Sequence, residues 1–213
     1  MDDAPSFDTS FRDELERLFR WRRDVRHFRP DPIDASVIEE LVGLASLAPS
    51  VGYSQPWRFV TVDEPERRRA VRENFVARSR DALETYEGER AGLYASLKLA
   101  GLDDAPVQIA VFVDDETETG HGLGRKTMPE TLPYSVVMAV HTLWLAARAQ
   151  GIGVGWVSIL DPEAIKAILE VPETWSLVAY LCVGYPETEE DQPELLRRGW
   201  EETDEAARAV LKR

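Results

Sequence analysis

The amino-acid sequence predicts a single domain of mixed α and β structure. Apolar residues at helical spacing alternate along the chain with short apolar runs that are typical of strands. The length of 213 residues suits one domain with a sizeable core, and no internal repeat or low-complexity linker divides it. Helices and strands that alternate in this way pack as layers around one core, which is not the pattern of a bundle or a sandwich.

The N-terminal part of the chain contains two predicted helices and a strand. Apolar residues at helical spacing predict a helix over 11–21. A second helix is predicted over 35–48, opened by Asp34 and closed by Pro49. Residues 57–62 form a short strand.

The middle of the chain is first helical and then extended. The charge-rich stretch 65–88 is predicted to be helical and polar enough to serve as a mobile lid. A helical segment around 93–100 is expected to end at Gly101, because glycine favours helix C-termini. A strand at 107–113 and a long glycine-containing loop at 114–131 follow.

The predicted helix over 134–150 is apolar on almost every side. Such a helix must be covered all round, so we expect it at the centre of the fold or in a dimer interface. Gly151 is expected to cap it.

The C-terminal part contains two buried strands, a helix and a polar tail. The strands are predicted at 152–159 and 176–183, and Asp161 is a good N-cap for a helix over 162–169. We expect the tail, residues 186–213, to be an arm that lies over a partner subunit. Its apolar anchors are Leu195, Leu196 and Trp200.

Composition excludes several classes of protein. The chain has 25 Lys and Arg against 39 Asp and Glu, a net charge of −14, and a sequence pI near 4.7. Such a chain is repelled by nucleic acid and by anionic lipid surfaces. No apolar stretch approaches the roughly 18 residues of a membrane span, and the acidic N-terminus lacks a signal core, so we expect a cytoplasmic protein.

Cysteine and histidine point to neither a disulfide nor a metal site. Cys182 is the only cysteine and lies in an apolar run, which is the setting of an inert buried thiol. His27, His121 and His141 are far apart in sequence, and none has a partner at a ligand spacing. We therefore predict no metal.

The strongest local signal is a basic segment at 17–29. It holds six arginines against one acid, Asp24, a local charge of +5. One interpretation is a solvated face whose arginines pair with acids elsewhere. The other is an anion site, because the fork of an Arg side chain matches a phosphate ester bidentately.

Two further segments carry weaker signals. In the turn-rich loop 48–57, Ser50 and Gln55 could recognise a heteroaromatic edge or a polyol, or could simply satisfy the turn. Three glycines at 151, 153 and 155 could let something flat approach the backbone, or could mark a bulged core strand. They do not fit the Rossmann fingerprint, because they follow a helix and enter a strand.

Taken together, five segments in this order resemble the nitroreductase superfamily. Within it, they are most similar to the branch that makes 5,6-dimethylbenzimidazole, because general nitroreductases usually have Ser at the position of Asp24 and lack the fourth motif. The segments are RRDVRHF (22–28), APSVGYSQPWRFV (48–60), LKLAGLDDAP (97–106), GLGRKTMPE (122–130) and LWLAARAQGIGVGWVSILDP (143–162).

The resemblance implies a fold, a cofactor and a reaction. The fold is α+β, a mostly antiparallel sheet flanked by helices in an intertwined homodimer with two FMN sites at the interface. The reaction is fragmentation of reduced FMN by O₂ to 5,6-dimethylbenzimidazole, the lower ligand of cobalamin, with release of erythrose 4-phosphate. FMN is consumed, so a separate flavin reductase using NAD(P)H must supply it.

The resemblance also implies roles for individual residues. Asp24 is the catalytic base, expected to stay ionised among the arginines, and Ser158 orients an intermediate by hydrogen bonding a ring nitrogen. The other predicted site residues bind the flavin: Arg22, Arg23, Val25, Arg26, Ser50, Gln55, Lys98, Trp156, Val157 and Arg197.

The sequence is also compatible with two other functions. One is NAD(P)H-dependent reduction of nitro compounds or quinones with FMN retained. Asp24 disfavours it, because general nitroreductases usually have Ser at that position. The other is a non-enzymatic FMN-binding protein, which the pairing of Asp24 with Ser158 disfavours.

Overall fold

A computed structural model describes residues 4–97 and 101–213, which build an α+β fold on one antiparallel sheet. Its strands lie in the spatial order β1-β2-β4-β3, and every neighbouring pair is antiparallel. The predicted α+β class and antiparallel sheet are therefore confirmed. The strands are β1 (Trp57–Thr61), β2 (Val107–Asp114), β3 (Gly153–Val157) and β4 (Trp175–Gly184).

Helices cover both faces of this sheet. None of the helices in the two described ranges is long and apolar enough to cross a bilayer. The helices are α1 (Thr9–Trp21), α2 (Ala35–Ala45), α3 (Pro65–Leu83), α4 (Gly88–Ser96), α5 (Gly101–Asp104), α6 (Thr131–Ala149), α7 (Pro162–Leu169) and α8 (Glu194–Arg197).

Two hydrophobic cores lie on opposite faces of the sheet. On β2, Ile109 and Val111 face α2 and α6, whereas Ala110 and Phe112 face α3, α5 and α7. All four side chains are buried. A strand covered on both faces is expected to be apolar at successive positions, and residues 109–113 of β2 are all apolar.

Several predicted boundaries are wrong for local reasons. Gly101 opens α5 instead of ending a helix, and an added Cβ there would lie 2.9 Å from the ring of Phe28. Asp34 precedes α2, but its side chain makes no capping bond. Asp161 does cap α7, since its carboxylate accepts the backbone N–H of Ala164 at 3.2 Å.

Other elements are shorter than predicted. The stretch expected as one helix over 65–88 stops at Leu83, and Gly88, in a left-handed conformation with φ +59°, starts α4. The helix predicted over 35–48 ends at Ala45, and the strand predicted over 152–159 covers only 153–157.

Helix α6 is covered by this chain on one side only. Val136, Val140 and Leu143 are fully buried against the sheet. Val137 and Met138 keep 40% and 45% of their surface exposed. The cover expected on every side of this helix is not supplied by the chain itself.

The open edge of β3 is occupied by the segment that follows α1. Asp24 pairs with Val154 in parallel, and the backbone N–H of Val25 donates to the carbonyl of Val154 at 3.1 Å. An added Cβ at Gly155 would lie 2.1 Å from the carbonyl oxygen of Val25, and one at Gly153 would meet the Val25 side chain at 2.7 Å. These two glycines make room for Val25 of the same chain, where the sequence suggested a flat ligand.

Gly155→Ala should therefore destabilise the protein by about 1–3 kcal/mol, because the new methyl group overlaps the Val25 backbone. Gly43→Ala is the control: that helical glycine has no atom within 4 Å of an added Cβ, so it should gain about 0.5–1 kcal/mol. Urea unfolding measures both changes. Equal stability of Gly155→Ala and the unmodified protein would contradict the packing described.

Candidate active site

Asp24 is held by backbone and side-chain contacts where the basic segment meets β3. Its Oδ1 accepts the backbone N–H of Trp156 at 2.9 Å, and its Oδ2 accepts the Nε–H of Arg26 at 3.3 Å. The Arg26 side chain is only 11% exposed, while that of Asp24 is 37% exposed. The carboxylate is thus fixed in orientation yet open on one side.

The environment raises the pKa of Asp24 above its usual range. Burial is the main cause, and a nearby carboxylate, Glu194, adds to it. The Trp156 N–H and Arg26 act in the opposite direction without overcoming burial. A raised pKa makes Asp24 a stronger base than an exposed Asp, and its ionisation among the arginines stays a prediction.

Arg22 and Arg23 lie together beside this carboxylate. The Arg22 guanidinium stacks over the Trp144 ring at 5.1 Å, and the Trp144 indole N–H donates to the carbonyl of Arg23 at 3.1 Å. Burial and then Arg22 lower the pKa of Arg23, while Asp191 acts to raise it. An anion bound between two such neighbours would relieve their repulsion.

The C-terminal segment closes over the arginines. Arg23 Nε donates to the carbonyl of Asp191 at 3.0 Å, and Glu194 Oε2 lies 3.6 Å from Arg26 Nε. Arg197 pairs with Glu190 at 3.4 Å. One pocket is lined by arginines, Asp24 and this segment: Arg22, Arg23, Asp24, Arg26, Pro193, Glu194 and Leu195. Arg197 lines an adjoining pocket with Asp24 and Val25.

Ser158 lies just beyond the part of β3 that binds Asp24. It is exposed, and its hydroxyl has no hydrogen bond to any residue the structure describes. Trp156, whose N–H holds Asp24, lies two residues away, about 7 Å along an extended chain, so Ser158 and the Asp24 carboxylate can face one flat ligand. Val157 is buried and its backbone pairs with Tyr180 of β4.

Ser50 and Gln55 lie elsewhere in the chain. The Ser50 hydroxyl accepts the backbone N–H of Gln55 at 3.1 Å, and the next N–H, that of Val51, donates to Ser135 on α6 at 3.0 Å. Ser135 and Trp144 are nine residues apart on α6, which is about 13 Å along the helix axis. Neither Ser50 nor Gln55 lines the two pockets around Asp24.

The sequence does not predict the contact between residues 120–124 and the Ser50 loop. Residues 120–124 pack on the Ser50 loop so closely that an added Cβ at Gly52 would lie 2.8 Å from the carbonyl of Leu123. Tyr53, Gln55 and His121 all have positive φ, which is costly for residues other than glycine. The glycines of the GLGR motif could have indicated a close contact, but only the fold shows that the contact is with the Ser50 loop.

The remaining predictions concern single residues. Cys182 is buried, and burial raises the pKa of its thiol to about 12, so the inert thiol predicted from its apolar run is confirmed. Lys98 lies outside the described residues. Within 4–97 and 101–213, no three His, Cys, Asp or Glu side chains form a group that could hold a metal ion.

Comparison with known proteins gives close relatives. Residues 19–185 match the Nitroreductase family. A 5,6-dimethylbenzimidazole synthase of Rhodospirillum rubrum is 58% identical over 198 residues, which cover 93% of this chain and 94% of the relative. A protein of the same name from Rhodobacter capsulatus is 52% identical over 197 residues, covering 92% and 95%.

Solved structures show the same fold at lower identity. Oxidized iodotyrosine deiodinase bound to FMN and 3-iodo-L-tyrosine has a TM-score of 0.70 at 23% identity, covering 83% of this chain and 91% of the other. A BluB-like flavoprotein from Clostridium difficile 630 has a TM-score of 0.69 at 20% identity, covering 93% and 99%. At these identities the likeness establishes the fold alone.

The raised pKa of Asp24 predicts a specific pH dependence of stability. The folded protein holds the Asp24 proton more tightly than the unfolded chain, so Asp24 withdraws stability as the pH rises from its ordinary pKa of 3.8 to its higher folded pKa. The Asp24→Asn variant has no carboxylate at this position, so it does not lose stability in this way as the pH rises. Relative to the unmodified protein, its free energy of unfolding should therefore increase as the pH rises above about 4.

Urea unfolding at several pH values measures this difference. Asp63→Asn, at an exposed position after β1, controls for the loss of one negative charge. A difference for Asp24→Asn that falls with pH would mean that Arg26 outweighs burial.

Proposed function

The chain belongs to the nitroreductase family, and from that premise we propose that it is a 5,6-dimethylbenzimidazole synthase. Its substrates are reduced FMN and O₂, and its products include 5,6-dimethylbenzimidazole and erythrose 4-phosphate. The chain is a flavoenzyme of the oxidoreductase type. Asp24 gives the main structural support for this synthase activity. It is a carboxylate of raised pKa that the N–H of Trp156 holds beside three arginines.

The residues present fit FMN. Arg22, Arg23 and Arg26 offer several guanidinium donors beside one pocket, and Arg197 lines the pocket next to it. This arrangement suits a phosphate dianion, whose oxygens accept paired N–H groups. A reduced flavin ring is also anionic, so arginines at its edge would stabilise it.

Each proposed role follows from the position of the residue. The chemistry that reduced FMN brings is reaction with O₂ and cleavage of the ribityl C1′–C2′ bond. Asp24 would accept a proton near C1′, for which its raised pKa suits it. Ser158, exposed and two residues from Trp156, would donate a hydrogen bond to a ring nitrogen.

We propose that the working unit is a homodimer. The Ser50 loop is anchored at Ser135, about 13 Å along α6 from Trp144, which contacts Arg22. Neither Ser50 nor Gln55 lines the pockets around Asp24, so a site using both sets would draw them from two chains. The apolar residues left exposed on α6 offer a surface for that contact. The C-terminal segment, residues 186–213, contacts Arg23 and Arg26 of its own chain near its start and would extend from there over the partner.

A second protein must supply the electrons. Because FMN is consumed, each turnover needs a new reduced molecule, which a separate flavin reductase using NAD(P)H would provide. The decisive assay combines the purified protein with FMN, NADH, a flavin reductase and air, and seeks 5,6-dimethylbenzimidazole by mass spectrometry. No product from folded protein that binds FMN would refute the proposal. A stable flavoprotein that oxidises NADH by itself would favour nitro or quinone reduction.

Asp24→Asn and Ser158→Ala should each bind FMN within a few-fold of the unmodified protein yet form product about 100-fold more slowly or less. Ser158→Ala should also leave the free energy of unfolding within about 0.5 kcal/mol, because the hydroxyl is exposed. Flavin fluorescence measures binding, and mass spectrometry measures product. Asp63→Asn and Ser36→Ala, both at exposed positions, are the controls. Unchanged product formation in both test variants would assign the chemistry to other residues.

Val137→Lys should separate the dimer and weaken FMN binding at least 10-fold, because it places a charge in the proposed interface. Val76→Lys is a matched control on α3, since Val76 is 42% exposed and Val137 is 40% exposed. Light scattering after gel filtration gives the oligomeric state. A Val137→Lys monomer with undiminished FMN affinity would contradict a shared site.

A further inference from the structure

We infer that Glu194 is a positioning residue for Asp24: it shares the Arg26 guanidinium and so denies Asp24 a cation of its own. Arg26 Nε lies 3.3 Å from Asp24 Oδ2 and 3.6 Å from Glu194 Oε2. One cation thus stands between two carboxylates, and the group as a whole carries a charge of −1 when both are ionised.

The position of Glu194 is built into the fold. It is the first residue of α8 and follows Pro193, whose ring restricts the backbone. Arg23 fixes the approach to α8 by donating to the carbonyl of Asp191. The Glu194 side chain is only 19% exposed, so it is less screened by water than a surface acid.

The other groups around Asp24 do not replace this effect. Its own segment adds Arg22, Arg23 and His27, the C-terminal segment adds Glu190 and Arg197, and β4 adds the thiol of Cys182. Glu190 is paired with Arg197, and the thiol is neutral below a pKa of about 12. From β3 the contact is the uncharged N–H of Trp156.

A second carboxylate at the same guanidinium makes Asp24 more basic. A like charge disfavours ionisation and raises the pKa of its neighbour, in the same direction as burial. A base with a higher pKa accepts a proton more readily. Glu194 would thus make Asp24 a stronger base by acting through Arg26, a consequence that rests on the proposed function.

A double-mutant cycle tests the inference without flavin. Glu194→Gln keeps the shape and removes the charge, and it is made in the unmodified protein and in the Asp24→Asn variant. At pH 7, Glu194→Gln should cost less stability in the unmodified protein than in the Asp24→Asn variant, because in the first case it relieves repulsion and in the second it removes the remaining acid near Arg26. At about pH 3, below the raised pKa of Asp24, position 24 is uncharged in both backgrounds and the two costs should agree.

Two controls separate charge from structure. Glu189→Gln removes an acid of the same segment that bonds Arg148, at 2.9 Å, so it should show no coupling to position 24. Glu194→Asp keeps the negative charge, so the coupling between positions 194 and 24 in the free energy of unfolding should persist in that variant. Equal costs of Glu194→Gln in both backgrounds at pH 7 would overturn the inference and leave Glu194 as a tether of the C-terminal segment.

The pH profile of product formation is the second measurement. The acid limb for Glu194→Gln should lie at lower pH than that of the unmodified protein, while Glu189→Gln should leave it in place. If the unmodified protein makes no product, the proposed function fails while the unfolding cycle still decides the role of Glu194. An acid limb that does not move in an active Glu194→Gln variant would overturn the inference.

Discussion

The site depends on one contact, the docking of the Arg22 to Val25 segment along the open edge of β3. The N–H of Val25 bonds the carbonyl of Val154, and the N–H of Trp156 bonds the carboxylate of Asp24. An edge strand leaves such groups unpaired, and here the chain satisfies them with its own basic segment. Gly155 is required because a side chain would overlap the backbone of Val25.

This contact also explains how an acidic chain gathers several arginines around one pocket. The net charge is −14, yet the arginines after α1 are gathered on one side of a carboxylate that the sheet edge holds in place. The acids nearby are used as partners: Glu190 bonds Arg197, and Glu194 shares Arg26 with Asp24. Burial then raises the pKa of Asp24, which suits the role of base proposed for it.

Much of the fold could be predicted from the sequence, because its elements have strong local signals. The helix from Pro162 to Leu169 matched residue for residue, since Asp161 and Pro162 carry a capping pattern that acts within one turn. Gly101 was misassigned because glycine at a helix end and glycine beneath an aromatic ring look alike in sequence. The break between α3 and α4 was missed because a polar helix has little apolar periodicity to mark its ends.

The sequence by itself determined the class of fold, the basic segment, the inert Cys182 and the family, all of which depend on composition, short motifs or local spacing. Only the tertiary structure decided that the glycines of β3 receive Val25, that Ser50 and Gln55 lie far along α6 from Arg22, and that Glu194 reaches Arg26. These contacts join residues distant in the chain, and their energies depend on distances and burial that only folding creates.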